Sequence, residues 1–171
     1  MKKNASNTKS VGTNPDPKPD RPSEDAFWCQ ADAFRQAADA LHEVLRRPGN
    51  RQNIAVPMIF LYFRSIELGF KACLPADKYD GQAIRRFGHN LAALLNVLKT
   101  TGILGDLGMA RSDFELIDDF SKDYCDKWLE YGPGFIEIPR DSELDIVRLL
   151  VGRFLRESRL HVIAKIKNAK A

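Results

Sequence analysis

The sequence predicts an all-α fold, an up-and-down bundle of four to five helices behind a disordered N-terminal tail. Three observations carry that expectation. Apolar residues recur at helical spacing in most segments after residue 22. Glycine, proline and polar clusters punctuate the chain between those segments, as in RRPGN, PADKYDGQ and GPG. No segment alternates apolar and polar residues over a strand length, and there is no repeat or glycine-rich phosphate loop.

The tail is residues 1–22, rich in Pro, Asn, Ser and Lys, and too poor in apolar groups to fold. The bundle is residues 23–171. Its first helix starts at Ser23 and runs to about Arg47, with Phe27, Phe34, Leu41 and Val44/Leu45 on one stripe. The second runs from about Val56 to Leu74, with Pro57 in its first turn, where a missing N–H is tolerated. Its first half is apolar nearly all round, which places it centrally. PADKYDGQ reads as a connecting loop, and GHNLAALLNVLKTTG as a third helix closed by Gly102. A fourth follows over residues 112–132, opened by a capping box of Ser112 and Glu115 and stopped by Gly132. Its buried stripe is Phe114, Ile117, Phe120/Ser121, Tyr124 and Trp128. GPGFIEIP is extended or irregular, and the last helix spans about Ser142 to Lys167.

The net charge of +3 resides in the tail, which holds five Lys/Arg against two Asp. The rest is balanced at 21 basic and 21 acidic residues, yet residues 148–171 carry seven Lys/Arg and one Glu. That basic end suits either an anionic partner or the negative end of a helix dipole. Cys29, Cys73 and Cys125 are too scattered for a disulfide framework or a zinc site. No histidine pair has metal-ligand spacing, so neither metal nor cofactor is expected. The tail lacks the apolar core of a signal peptide, and Ile54 to Phe63 is about half a bilayer span. A soluble, cytoplasmic protein with no membrane contact is expected.

One stretch of the second helix, RSIELGFKACL, breaks its apolar character. At 100° per residue, Arg64, Glu67 and Lys71 fall within about 60° of one another. Unpaired burial of such charges is expensive, so they form either a salt-bridge stripe that fixes packing or the wall of a polar cleft. Gly69, costing about 1 kcal/mol in a helix interior, signals close approach of another helix. His89 and Asn90 open the next helix; Asn90 suits an N-cap, and His89 is a second contributor to the same cleft.

RSIELGFKACL, the short glycine-containing loop, GHNLAAL, WLEYG with its following IP, and a long terminal helix together resemble the HEPN superfamily, over roughly Ser23 to Lys167. The resemblance implies a small helical bundle, a homodimer, and a place in prokaryotic defence or toxin–antitoxin biology. It implies RNA as ligand and an antitoxin or nucleotidyltransferase as partner. Many such proteins are metal-independent endoribonucleases with an Arg, four to six other residues and a His near the last helix. Arg156 and His161 match that spacing here. The resemblance makes His161 the general acid/base on the ribose 2′-OH or the leaving oxygen, and Arg156 the stabiliser of the phosphorane charge.

Arg35 and His42 satisfy the same spacing in the first helix. On a straight helix Arg156 lies about 140° from His161, nearer Arg148 and Arg159 on a basic face. Arg148, Arg153 and Arg159 are the phosphate-contact candidates. His161 aligns with Val147, Leu150 and Phe154 on the apolar side, so a dimer cleft or a kink near Gly152 is needed to unite it with Arg156. The other reading is a HEPN-type module that binds a partner protein, nucleotide or RNA without cleaving it.

Overall fold

The structure, a computed structural model, describes residues 21–47, 51–125 and 140–168. The tail before Arg21, the glycines of GPGFIEIP, Gly132 and Trp128 lie outside the described residues, as do the side chains of Phe120 and Tyr124. The described residues form an all-helical bundle. Its elements are α1 (Glu24–Leu45), α2 (Arg51–Cys73), α3 (Gly81–Phe87), α4 (Leu91–Thr100), α5 (Ile103–Asp106), α6 (Arg111–Cys125) and α7 (Asp141–Asn168).

Local chemistry sets the ends. Ser23 caps α1, its hydroxyl oxygen accepting from the Ala26 N–H at 3.1 Å. Asp80 and Asn90 do the same for α3 and α4, each accepting at 2.8 Å from Ala83 and Ala93 respectively. Gly102, at φ +78°, takes the left-handed conformation that ends α4. At α6 the capping residue differs from expectation. Asp113, not Glu115, reaches back to the Ala110 N–H at 3.0 Å, and Glu115 pairs with Arg111 instead. The helix starts at Arg111, so its cap is Ala110, two residues before Ser112, and the aspartate sits three residues after that cap.

Two further differences concern length. PADKYDGQ is not all loop, because its last residues feed α3. Helix α2 begins at Arg51, five residues before the expected start, so Pro57 lies inside it rather than in its first turn. A proline there forgoes one helical hydrogen bond, and packing must supply what the ladder lacks.

Helix α2 is the axis of the core and packs against α1, α4, α6 and α7. Ala31 and Ala38 on α1 are fully buried and let α2 come close, where the Ser65 hydroxyl donates to the Ala31 carbonyl at 2.8 Å. On the opposite side Phe70 meets Phe154 of α7 edge-on, with centroids 5.0 Å apart. Gly69 makes that approach possible: a Cβ there would lie 2.6 Å from Phe154 Cε1. Trp28 pins α1 to α7 by donating its indole N–H to the Leu155 carbonyl at 3.0 Å. No described helix is long and apolar enough to cross a membrane.

Candidate functional site

The charged stripe on α2 closes into a cluster around Glu67, whose side chain is wholly buried. Its Oε1 accepts from Arg64 at 2.7 Å and from Lys71 at 2.6 Å. Its Oε2 lies 2.9 Å from His89 Nδ1. Lys71 also donates to the Gly88 carbonyl at 2.8 Å, so α2 is tied to the corner between α3 and α4 through both main chain and side chain. The helical turn supplies Arg64 and Lys71; the glycine at Gly88, with φ +53°, turns the chain so that His89 comes back over Glu67.

His89 Nδ1 is equally close to Arg64 Nη1, at 2.9 Å. One ring nitrogen cannot serve both. As N–H it donates to Glu67, and as a bare nitrogen it accepts from Arg64. Arg64 also faces the Phe34 ring of α1 at 6.0 Å. Arg64, Glu67, Lys71 and His89 thus converge, and Asn90 next to them is occupied as the cap of α4. Three bases surround one acid beneath a rim formed by Arg64 and His89. Glu67 has both oxygens committed and no route to solvent, so the geometry is that of a tie between elements.

A second charged region is open. A groove of about 570 Å³ runs between α1 and α7, lined by Arg35, Asp39, Arg148, Leu149, Gly152, Arg153 and Arg156. Each arginine there arrives with a carboxylate. Arg35 pairs with Asp32 and Asp39, and Arg148 with Asp39 at 3.3 Å and Glu43 at 3.1 Å. Arg153 pairs with Asp113, and Arg156 with Glu157 at 2.9 Å. Asp39 accepts as well from the Tyr62 hydroxyl at 2.8 Å, and burial together with that bond pushes the phenol far above its ordinary pKa.

The remaining candidates are placed elsewhere. Arg159 stacks over the Trp28 ring at 4.2 Å, away from Arg148 and Arg153. His161 is half-buried and its Nε2 is enclosed with no hydrogen-bond partner. Burial lowers its pKa, Lys165 lowers it further, and Asp106 opposes the shift. Arg156 points into the open groove, so a single chain does not bring Arg156 and His161 to one phosphate. Arg35 and His42 separate too: Arg35 lines the groove, while His42 is buried with Nε2 3.1 Å from Asp145.

Sequence reasoning missed the contribution of Arg35 and Asp39 to the groove. The signal was their i,i+4 spacing on α1, which reads as an ordinary solvated pair. It also missed Asp113, whose carboxylate both caps α6 and holds Arg153. Among the described residues, no group of three or more His, Cys, Asp or Glu is arranged to hold a metal. Compared with protein-family models, curated proteins and solved structures, the chain matches none.

Proposed function

We propose that the chain is a HEPN-like dimeric helical module that binds RNA through its phosphates and does not cut it. One observation carries this reading: Arg35 and Arg148 face an open groove between α1 and α7, while the enclosed Nε2 of His161 lies off that groove. Guanidinium groups recognise phosphate oxygens in bidentate fashion, and a phosphate competes for each of them with a nearby carboxylate. Binding by that exchange is of moderate strength and steeply dependent on salt. The resemblance of RSIELGFKACL, the short glycine-containing loop, GHNLAAL, WLEYG with its following IP and the long last helix to the HEPN superfamily supplies the RNA and the defence or toxin–antitoxin setting. An antitoxin or nucleotidyltransferase partner belongs to the same proposal.

The test is fluorescence anisotropy of labelled single-stranded RNA in EDTA, over a range of salt. Arg35→Ala and Arg148→Ala are each expected to weaken binding and to lower the log–log salt slope by roughly 0.7. Absence of binding at low salt rules the reading out.

Endoribonuclease activity is the second reading, and His161 favours it. An imidazole with a lowered pKa and an unpartnered nitrogen is neutral at pH 7 and able to take a proton once exposed. Cleavage of the same RNA in EDTA, lost in both Arg156→Ala and His161→Ala, replaces the binding-only reading with this one.

A further inference from the structure

Helix α7 has a second face that nothing in the described chain covers. Ile146 is 51% exposed, Leu149 73%, Leu160 57% and Ile163 38%. With Arg153 and Arg156 between them, they occupy positions 146, 149, 153, 156, 160 and 163, all exposed. The spacing alternates three and four, the pattern of a coiled-coil seam. Both the residue order, Ile-Leu-Arg-Arg-Leu-Ile, and the spacing read the same in either direction along the helix.

We infer that this face is the interface of a homodimer in which the two α7 helices cross antiparallel. The inference rests on the dimeric part of the reading above and names the surface and its register. A two-fold axis between Arg153 and Arg156 puts Ile146 opposite Ile163 of the second copy. It puts Leu149 opposite Leu160, and Arg153 opposite Arg156. Every apolar position then meets an apolar position, over a seam about 25 Å long. A partner of unrelated sequence has no need of a palindromic face, whereas an isologous contact requires self-complementarity.

The centre fits as well. Four guanidinium groups meet there, but Arg153 brings Asp113 and Arg156 brings Glu157, so four carboxylates accompany them. The charges balance without any ligand. Gly152 sits beside the centre, and a Cβ there would find nothing within 4 Å, so the flank has room for a second helix. Long arginine stems cover the seam while their heads reach its rim. The Arg35 and Arg148 sides of the two grooves remain open, on either side of the axis.

Sedimentation equilibrium of the full chain tests the interface. Wild type is expected to dimerise at micromolar concentration. Leu149→Asp and Leu160→Asp are each expected to raise the dimer Kd by about 100-fold or more, with helicity and melting unchanged, because a charge is set into an otherwise apolar contact. Wild type that stays monomeric overturns both the interface and the dimeric part of the proposed function. A dimer indifferent to both substitutions overturns this surface and leaves dimerisation standing.

Cross-linking tests the register, in a background carrying Cys29→Ser and Cys125→Ser. Cys73 is buried, its thiol pushed up to about 12, and does not compete. A short bis-maleimide is expected to join Leu149→Cys to Leu160→Cys in a mixture. Neither variant alone should link, since like positions stand about 16 Å apart in this register. Efficient self-linking of Leu149→Cys overturns the antiparallel pairing.

Discussion

The Glu67 cluster and the arginine groove use the same residue types and do different things. In the cluster one carboxylate holds Arg64, Lys71 and His89, and Glu67 is sealed beneath them. In the groove each arginine has its own acid, but side chains such as Arg148 and Arg153 remain 35% and 45% exposed. Burial, not composition, separates the sealed cluster from the open groove. A sealed ion cluster is costly to break because the remaining charges lose both their partner and their water. An open pair is worth little, and its members are free to exchange one anion for another.

That contrast can be broken most sharply at Glu67. Glu67→Gln is expected to lose about 3–5 kcal/mol in urea unfolding, since Lys71 is left buried beside a neutral amide. A loss within that of a surface substitution places the cluster with the groove. The two glycines come next. Gly69→Ala sets a methyl 2.6 Å from a fully buried phenylalanine ring. Overpacking of that kind costs about 1–3 kcal/mol, which exceeds the helix-propensity gain of about 1 kcal/mol. Gly152→Ala meets open space and is expected to raise monomer stability by up to about 1 kcal/mol. Thermal melts of both variants read the opposite signs.

Arg148→Ala should cost below about 1 kcal/mol in the same melts, because Arg148 and Glu43 are well exposed and Asp39 keeps Arg35 as its partner. The smallest effect belongs to His161. Its folded-state pKa lies below 6.5, so the unfolded chain takes up the proton first. The contribution of neutral His161 is fully present above pH 6.5 and is lost as pH falls through the folded value. His161→Gln should therefore show a shallower fall in melting temperature than wild type on acidification.

Helical period made the buried faces of α6 and α7 legible, whereas on α1 the buried line runs through Phe27, Ala31, Ala38, His42 and Leu45, with Phe34 and Leu41 only partly covered. Phe114, Ile117 and Ser121 on α6, and Val147, Leu150 and Phe154 on α7, are buried as their spacing required. The stripe on α2 was legible for the same reason, as was the close approach at Gly69. Period does not say where a short helix lies. Helix α3 has only seven residues, too few to show a stripe, and its Asp80 cap and Gly88 end look like turn chemistry. The start of α2 was hidden because Arg51, Gln52 and Asn53 give no apolar signal before Ile54. The 140° between Arg156 and His161 could be counted, but that Arg35 and Asp39 of α1 would face Arg148 depends on how two distant helices pack. The outward face of α7 was not legible because Arg153 and Arg156 interrupt its apolar residues, Ile146, Leu149, Leu160 and Ile163, so that it reads as a solvated side opposite the core stripe.

Arg21 carries one more consequence. Its guanidinium donates to the carbonyls of Leu74 at 2.9 Å and Tyr79 at 2.8 Å, and lies 3.4 Å from that of Lys71. Those carbonyls end α2 and the turn after it, where a helix otherwise leaves acceptors unsatisfied. The clasp therefore sets where the chain can be shortened. A version beginning at Arg21 retains the lock on the central helix, and one beginning at Ser23 leaves it unlatched.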